Sequence, residues 1–350
     1  IEKTNEVRKE HIEQVIDNTM SAVFDRCYEE GFDLTKQEAM KPACLLVESF
    51  RCMLYGTVGL EHPLASTAEQ LFTVMISNFM AQIGNHTNIK IEEDLLRHMI
   101  LNSLRSYNAK FRAQYGEMII ACDDKTSWRR GIFPYYKANR RKDRAKSEID
   151  WNAVFTILNK IREELIEFFP YRVIQVENAE ADDVIASLCH HYGDVIGQQI
   201  LIISGDKDFR QLQCYSNVQQ YDPVRKRKIE ESNPALYLKR HIMDGDRGDG
   251  VPNFLSRDDT FVATDGRQKP LRSKKADEWI NLEPEQFCDE AMLRGWKRNQ
   301  QLVDLSMVPE TIQAQVIESF HAQEGKTRSK LYTYFIEKSL KHLLTDIDQF

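Results

Sequence analysis

The chain has 350 residues, 42% of them apolar, which is enough to bury one large or two moderate hydrophobic cores. No apolar run reaches the roughly 18 residues of a membrane span, and the polar start IEKTNEVRKE is unlike a signal peptide, so we expect neither a membrane anchor nor export. The seven cysteines form no C-x-x-C pair, which argues against a disulfide framework or a zinc site and predicts reduced thiols in the cytoplasm.

The net charge of −7 is unevenly distributed along the chain. Residues 1–70 carry 13 acidic and 7 basic side chains, whereas residues 125–146 carry nine Lys and Arg against a single acid, Asp143. A second basic cluster, RKRK, occupies residues 225–228. Local basic clusters, rather than the overall charge, form the footprint of a protein on nucleic acid, so the acidic balance does not exclude such a ligand.

The first 65 residues have the pattern of helices. Apolar residues recur at helical spacing over residues 12–27, and Thr35 with Glu38 forms a capping box ahead of a second helix that ends at Gly56. A third candidate helix spans residues 67–83. We therefore predict an acidic helical module over residues 1–65, without a motif that indicates chemistry.

Helices and strands alternate between residues 91 and 222. Apolar spacing predicts helices over residues 91–115 and 151–169, which end at Gly116 and Pro170. Short apolar runs predict strands at 118–123, 171–176, 198–204 and 217–222, with a helix over 178–193 between the second and the third. This order predicts an α/β fold with a doubly wound, mostly parallel sheet.

Beyond Pro223 the pattern is mostly helical, apart from a polar loop at about residues 253–276. The sequence is therefore divided into the helical module at 1–65, an α/β core at 66–222 with a basic arch at 125–150, and a helical C-terminal domain at 223–350.

Acidic residues follow the predicted strands at the points where the strands end. In an open α/β sheet, ligands bind outside the carboxyl ends of the strands. Hard cations such as Mg²⁺ prefer oxygen ligands, and two of them about 3.5–4 Å apart can hold both the attacking and the leaving oxygen of a phosphoryl displacement. The acidic clusters are Asp123 with Asp124, Glu180 with Asp182 and Asp183, Asp206 with Asp208, and Asp246 with Asp249.

The basic segment at 125–146 begins directly after the first acidic cluster and is interleaved with Trp128, Phe133, Tyr135 and Tyr136. Cations can hold phosphates while aromatic rings stack on unpaired bases. Carboxylates for metal ions next to cations for phosphate predict a metal-dependent nuclease.

Each feature also has a structural explanation. Asp123 alone fits a helix N-cap, Glu180 and Asp182 can complement a helix dipole, and Asp206 and Asp208 can be turn residues. A run of Lys and Arg is commonly a solvated helix face. Acids at three successive strand ends with a fourth cluster beyond them favour the metal site, because capping does not require that convergence.

Four segments, in this order and spacing, resemble the flap endonuclease and 5′-to-3′ exonuclease superfamily, with the greatest likeness to the ribonucleases H of large tailed bacteriophages: WRRGIFPYYKANR, EADD, ILIISGDKDF and GDRGDG. The resemblance runs from about residue 74 to residue 350. It implies a PIN/flap-nuclease-like core with a helical arch and a helical C-terminal domain, preceded here by the N-terminal helical extension.

The resemblance also implies roles for individual residues. Lys137 and Arg140, with Arg129 as a weaker candidate, would contact the scissile phosphate, and Tyr136 would stack on a terminal base. The carboxylates that would hold two Mg²⁺ ions, for which Mn²⁺ can substitute, are Asp123, Glu180, Asp182, Asp206, Asp208 and Asp249. The further candidates for DNA binding are Arg130, Arg141, Lys142, Arg225, Lys226, Arg227 and Lys228.

The implied function is removal of RNA primers and 5′ flaps during DNA replication, with DNA and RNA–DNA duplexes as substrates. The resemblance further implies a monomer in the bacterial cytoplasm, with a single-strand-binding protein and a sliding clamp as candidate partners. The C-terminal segment LKHLLTDIDQF is the candidate docking surface, and ordinary core helices are the alternative there.

One expected ligand is missing from the sequence. The superfamily begins with a strand that carries an Asp just before a helix, and residues 74–84 resemble that helix. The Asp would fall near Gln70, where neither an apolar strand nor an Asp is present, although Glu69 is a substitute to be weighed. The alternative function is therefore a branched-DNA-binding protein that cleaves weakly or not at all.

Overall fold

The computed structural model describes residues 93–145 and 149–350. The predicted N-terminal helices, the capping box at Thr35 and the candidate ligand Glu69 lie outside the described residues. The described residues belong to one unit of the chain, Ile91–Phe350.

Helices and strands alternate in the first part of this unit, as predicted. The helices there are α1 (Glu93–Tyr115), the short α2 (Arg129–Ile132), α3 (Ala138–Ala145), α4 (Trp151–Phe168) and α5 (Ala181–Leu188). The strands are β1 (Ile119–Ala121), β2 (Arg172–Ile174), β3 (Ile200–Ile203), β4 (Val218–Asp222) and β5 (Arg227–Ile229).

Helix α4 illustrates how local sequence sets these elements. Asp150 caps its start by accepting hydrogen bonds from the N–H groups of Asn152 and Ala153. Ile157, Ile161 and Leu165, one helical turn apart, are buried in the core. The helix ends just before Pro170, which cannot continue it. The predicted and observed ends therefore agree to within one residue.

The strands form two small sheets in the described part of the chain, whereas one continuous sheet was expected. Strands β1 and β2 are parallel, with Ile119 opposite Arg172. Strands β3 and β4 are also parallel, and β5, which the sequence patterns did not predict, pairs antiparallel with β4.

Helix α5 packs against residues of both sheets. Its residues Val184 and Leu188 share a core with Ile174 of β2. Ala186, on another face of the same helix, packs with Ile202 of β3. After Leu188 the chain continues in a π-helical segment, Cys189–Val195, so the predicted helix over 178–193 is divided into two kinds of helix.

The part after β5 is helical, as predicted. Its helices are α6 (Pro234–Asp244), α7 (Ser273–Trp279), α8 (Pro284–Phe287), α9 (Glu290–Val303), α10 (Glu310–His321), α11 (Leu331–Glu337) and α12 (Lys341–Leu344). Short 3₁₀ turns occupy Lys207–Cys214, Leu305–Met307 and Ile347–Gln349. Among all described helices, none is both long and apolar enough to cross a membrane.

The C-terminus is part of the core. Leu340, Leu343 and Phe350 are buried against Phe169, which follows α4. The predicted alternative for this segment, plain core helices, therefore matches the positions of these three side chains.

A buried ionic cluster joins α1, α4 and α11. Glu164 lies 2.8 Å from Arg97 Nε, from the Tyr334 hydroxyl and from Lys338 Nζ. Burial alone would raise the pKa of Glu164, but the hydrogen bonds from Arg97, Lys338 and Tyr334 together lower it to about 2.

Candidate metal centre

The carboxyl ends of the parallel strands carry the predicted acids. Asp123 follows β1, Glu180 and Asp182 follow β2 at the start of α5, and Asp206 and Asp208 follow β3. Because β1 is parallel to β2 and β3 is parallel to β4, the acids that follow β1, β2 and β3 lie at the edge where these parallel strands end.

Glu180 is the N-cap of α5 and forms a capping box with Asp183. Its side chain is buried, and burial alone would raise its pKa, but Lys137 and Arg129 beside it hold the pKa below the ordinary value. Glu180 is therefore an ionised carboxylate fixed at the start of a helix.

Asp182, two residues further along α5, lies close to other carboxylates. Burial, with Asp206 and Asp208 nearby, raises its pKa to about 7. Asp182, Asp208 and Asp249 line a common small cleft. Carboxylates crowded in this way favour a cation between them, because each repels the ionised form of the others.

Lys137 and Arg140 lie at the start of α3, in the basic arch, and their charged groups contact carboxylates. The Lys137 ammonium forms an ion pair with Glu180 and lies 3.5 Å from Asp249 Oδ2, while Arg140 Nη2 lies 2.5 Å from Asp249 Oδ1. Burial alone would lower the pKa of Lys137, but Asp249 and Glu180 raise it above the ordinary value. Both predicted phosphate contacts are thus placed at the metal-ligand candidates.

Lys137 is held there by its backbone as well as by its charge. Its φ angle is 55°, in the left-handed region that few non-glycine residues adopt. Its N–H donates to the carbonyl oxygen of Asp249 at 2.7 Å. A backbone hydrogen bond therefore joins the start of α3 to the GDRGDG loop.

Tyr136 does not lie where the resemblance implied, and its expected role is corrected. The side chain is 4% exposed, so its ring has no open face on which a base could stack. Its hydroxyl lies 2.8 Å from Glu180 Oε2 and 3.0 Å from Asp249 Oδ2. Burial and the Asp249 carboxylate raise the pKa of Tyr136, so it is a neutral hydroxyl between the two carboxylates, with one proton to donate to either of them.

Arg129 is likewise buried, with 2% exposure, and cannot contact a phosphate at the surface. Its guanidinium forms ion pairs with Asp183 at 2.7 Å and with Glu180 at 3.2 Å, and it donates to the Leu302 carbonyl at 2.8 Å. Its role is therefore to position Glu180, not to meet the substrate.

Asp123 and Asp206 are exposed, and each accepts a hydrogen bond from a backbone N–H group. Asp123 Oδ1 accepts from the Ala181 N–H at 2.8 Å, at the start of α5. Asp206 Oδ1 accepts from the Asp208 N–H at 2.9 Å. Asp206 is therefore a turn residue, as the structural explanation predicted, whereas Asp123 contacts the start of α5, 58 positions along the chain, and does not cap the helix that follows it.

The GDRGDG loop is shaped by a glycine. Gly245 has a φ of 67°, and a Cβ there would lie 2.5 Å from the carbonyl oxygens of Val251 and Pro252. Asp246 Oδ1 accepts from the N–H groups of Gly248 and Asp249 and so closes the loop. Burial raises the pKa of Asp249, although Lys137 and Arg140 oppose that rise.

His241 was not predicted as a site residue, and the structure places it at the cluster. It is buried in α6, and its Nε2 lies 3.0 Å from Asp208 Oδ1. One oxygen or nitrogen from each of Asp208, His241 and Asp246 lies within 4.8 Å of the others. Its separation of five residues from Asp246 is not a recognised ligand spacing, so no pattern in the sequence marked it.

The predicted DNA-binding residues fall in three places. Arg130 is exposed on α2, Arg225 and Lys226 are exposed in the turn between β4 and β5, and Arg227 and Lys228 are exposed in β5 itself. That turn follows the end of β4, which is parallel to β3, and Asp222 there packs against Gly205, next to Asp206. The side chains of Arg141 and Lys142 lie outside the described set, although both residues belong to α3.

The cluster fits the divalent cation that the sequence predicts. It offers oxygen donors from several strand ends, as hard cations require. Two buried polar atoms in it, Asp208 Oδ1 and His241 Nε2, have no hydrogen-bond partner. Buried polar atoms are rarely left in that state, and a bound cation would satisfy both.

Comparison with known proteins agrees with this arrangement. Residues 69–241 match the family described as 5′-3′ exonuclease, N-terminal resolvase-like domain, and residues 233–350 match T4 RNase H, C terminal. Ribonuclease H of Enterobacteria phage T4 is 33% identical over 271 residues, which cover 75% of this chain and 88% of the relative. A 5′-3′ exonuclease of Buchnera aphidicola is 31% identical over 162 residues, 44% of this chain and 50% of that protein.

Among solved structures, a T5 5′-exonuclease with bound zinc aligns with a TM-score of 0.50 and 17% identity, covering 71% of this chain and 97% of that one. That likeness concerns the fold alone. The agreement with T4 ribonuclease H extends along most of both chains, and the chain described here belongs to the 5′-3′ exonuclease family.

Proposed function

We propose that this protein is a divalent-metal-dependent nuclease that cuts from the 5′ end, removing RNA primers and 5′ flaps from duplexes during DNA replication. The observation that carries the proposal is the convergence of Asp182, Asp208 and Asp249 in one cleft, with Lys137 and Arg140 directed at the same carboxylates. Cleavage of a phosphodiester needs both groups, because metal ions and fixed cations stabilise the charge that develops on the phosphate.

The proposed ion-holding residues are Asp123, Glu180, Asp182, Asp206, Asp208 and Asp249. Two Mg²⁺ ions, or Mn²⁺ in their place, would activate the attacking water and stabilise the leaving 3′ oxygen. Arg129 and Tyr136 hold Glu180 in place, so that the carboxylate set is ordered before the substrate arrives.

Lys137 and Arg140 serve the phosphate in this proposal. Both are cations that now neutralise Glu180 and Asp249. When ions neutralise those carboxylates instead, the ammonium and guanidinium groups become available to the scissile phosphate. Their contribution is electrostatic, and no covalent intermediate with the protein is formed.

The substrate is held by basic residues around the cleft. Arg130 and the segment from Arg225 to Lys228 expose their side chains to solvent near the strand ends. Contacts of this kind set affinity and register on the duplex without reading its sequence. RNA–DNA hybrids, 5′ flaps and nicked duplexes all present that backbone.

The direct test is Mg²⁺-dependent cleavage of an end-labelled 5′-flap duplex and of a matched RNA–DNA hybrid. We expect products with 5′-phosphates, and we expect Asp182→Asn to abolish cleavage while duplex binding is retained. Binding without cleavage at any Mg²⁺ or Mn²⁺ concentration would refute the nuclease proposal.

A branched-DNA-binding protein with weak or no cleavage is the second candidate, favoured by the absence of an Asp near Gln70. Fewer ligands raise the Mg²⁺ concentration that cleavage requires without altering the basic surface. A Mg²⁺ titration should therefore compare this chain with a version in which residues 1–73 are replaced by a strand that ends in Asp. Equal activity at low Mg²⁺ would remove this candidate.

We propose that the protein acts as a monomer in the cytoplasm of a bacterial host. A single-strand-binding protein and a sliding clamp are the proposed partners, with docking at the C-terminal helices. Because Leu340, Leu343 and Phe350 are core residues, the test should use the exposed α11 residues, Tyr332 and Ile336, in place of a truncation. Undiminished capture of a single-strand-binding protein by a Tyr332→Ser, Ile336→Ser variant would contradict docking there.

A further inference from the structure

We infer that His241 supplies a nitrogen ligand to a divalent cation held with Asp208 and Asp246, and that this mixed site selects a transition-metal ion such as Mn²⁺, Co²⁺ or Zn²⁺ over Mg²⁺. The inference deepens the proposed function, on which it rests for the role of Asp208. It concerns the identity of the ion and the atoms that hold it. Carboxylates suit Mg²⁺ and Mn²⁺ alike, whereas imidazole favours the transition metals.

The first support is an unsatisfied buried atom that is directed at the acids. His241 is 6% exposed, and its Nε2 has no hydrogen-bond partner. The nearest acceptor, Asp208 Oδ1, is 3.0 Å away, yet the two atoms are not aligned for a hydrogen bond, and Asp208 Oδ1 is also without one. A nitrogen and an oxygen that lie 3.0 Å apart without the alignment of a hydrogen bond are suited to a shared cation.

The second support is the third ligand. Asp246 is 8% exposed, and its Oδ1 is committed to the N–H groups of Gly248 and Asp249. Its other oxygen, Oδ2, lies 2.8 Å from Lys207 Nζ. The positively charged ammonium group of Lys207 is therefore at the place where a metal ion would bind this oxygen. The Lys207 side chain is 51% exposed, so its ammonium can move into solvent when an ion binds.

The distances are compatible with a first coordination sphere. Metal–nitrogen and metal–oxygen bonds of about 2.0–2.2 Å require ligand atoms within roughly 4.4 Å of one another. The three atoms lie within 4.8 Å of one another, so a movement of a few tenths of an ångström closes the set. Two carboxylates and a neutral imidazole then balance the charge of a divalent ion.

Backbone and side-chain contacts fix the position of the His241 ring. His241 belongs to α6, where its carbonyl accepts from the Gly245 N–H at 2.9 Å, just before the GDRGDG loop. Its ring also stacks on Tyr237, with centroids 6.2 Å apart and planes 28° apart. Among the described residues it is the histidine that lies close to two carboxylates, so it is the expected source of a nitrogen signal from a metal bound there.

The direct test is pulsed electron paramagnetic resonance on the full chain loaded with Mn²⁺. We expect a ¹⁴N coupling in the unsubstituted protein that is replaced by a ¹⁵N pattern when histidine is supplied with ¹⁵N. Absence of nitrogen coupling in the saturated protein would overturn the inference, and this result does not depend on the folding of any variant.

The matching variant is His241→Gln, whose side-chain amide can donate a hydrogen bond to Asp208 but is a poor ligand for transition metals. His321→Gln, an exposed histidine on α10, is the control. In calorimetric titrations we expect His241→Gln to bind Co²⁺ about 10–100-fold more weakly, with Mg²⁺ affinity almost unchanged. His321→Gln should bind both ions like the parent.

Other outcomes overturn the inference. If His241→Gln retains Co²⁺ affinity or the nitrogen coupling, the imidazole is not a ligand. If Co²⁺ and Mg²⁺ affinities fall by the same factor, His241 acts only by positioning Asp208. Because neither measurement involves cleavage, nitrogen coupling in a protein that cuts no flap would refute the proposed function and leave the nitrogen ligand standing.

Discussion

Lys137 is the residue at which charge and position most directly predict an effect on catalysis. It pairs with Glu180 and Asp249, so it lies where a scissile phosphate would meet the metal ligands. We expect Lys137→Ala to lower kcat for flap cleavage by roughly 10²–10³, equivalent to about 2.7–4 kcal/mol in the barrier. Single-turnover kinetics and equilibrium duplex binding would measure the two effects separately.

Duplex affinity should change little in Lys137→Ala, because many other basic side chains carry it. Arg130→Ala is the matched control, since Arg130 is an exposed cation of the same segment without a carboxylate partner among the described contacts. We expect this control to keep its cleavage rate. An equal loss of rate and affinity in Lys137→Ala would show that the side chain is only one member of a solvated basic surface.

The sequence was sufficient to predict acids at the strand ends. A short apolar run predicts each strand, and the acid follows that run directly in the sequence. It could not assign Tyr136 or Arg129 correctly, since both are drawn inside by packing between distant segments. Arg129, for example, contacts the Leu302 carbonyl, which is 173 positions away in the chain. His241 was missed for the same reason, because its partner Asp208 comes from another strand end.

At the scale of whole elements, α9 depends on one glycine. A Cβ at Gly295 would lie 2.0 Å from the carbonyl oxygen of Phe254, a backbone atom that cannot rotate away. We expect Gly295→Ala to lower the free energy of unfolding by about 1–3 kcal/mol or more, measured by urea denaturation. Gly131→Ala, in α2, is the matched control because no atom lies within 4 Å of the added carbon. Equal stability of the two variants would contradict this close approach of the α9 and Phe254 backbones.

The contact between α1, α4 and α11 should be sensitive to acid. The pKa of Glu164 is about 2 in the folded protein, against an ordinary value of 4.5. Its ionised form therefore contributes stability above pH 4.5, and that contribution is lost as the pH falls from 4.5 towards 2. The shift corresponds to about 3 kcal/mol when fully expressed.

Urea denaturation between pH 7 and pH 3 would measure this effect. We expect Glu164→Gln to be less stable at pH 7 and to lose less stability on acidification than the parent. Glu163→Gln, an exposed neighbour on the same helix, should follow the parent curve. If all three proteins lost stability in parallel, the acid-sensitive group would lie elsewhere.

Elements with their own caps and stops were predictable, as α4 shows with Asp150 before it and Pro170 after it. Strand β5 was not predictable from the sequence, because Arg227 and Lys228 are charged and no apolar run marks the strand. It forms by pairing antiparallel with β4 after the turn that joins them. The division into two sheets among the described residues also escaped prediction, since apolar runs indicate strands but not which strands pair.

For the whole molecule, the acidic net charge and the local basic surfaces make opposite predictions about salt. If the basic surfaces bind phosphate, the logarithm of duplex affinity should fall with the logarithm of salt concentration, with a slope of about −0.9 for each phosphate that is bound. Replacing Arg225, Lys226, Arg227 and Lys228 by Gln should make the slope shallower by about 0.9 for each phosphate that these side chains neutralise. Fluorescence anisotropy across a salt series would measure it.

Lys160→Gln provides the control, because Lys160 pairs with Glu93 between α4 and α1. Its slope should equal that of the parent. A salt-independent affinity in the parent would argue against nucleic acid as the ligand.

The ion pairs of Lys137 and Arg140 with Glu180 and Asp249 also make two binding events depend on each other. If the carboxylates hold metal ions and the cations bind phosphate, as proposed, divalent ions compete with these cations for the carboxylates, and phosphate competes with the carboxylates for the cations. Each ligand therefore releases the partner that the other needs. Such linkage is reciprocal, so the factor by which metal ions tighten DNA binding equals the factor by which DNA tightens metal binding. A protein built in this way holds metal most fully when a substrate is present, which restrains cleavage chemistry in its absence.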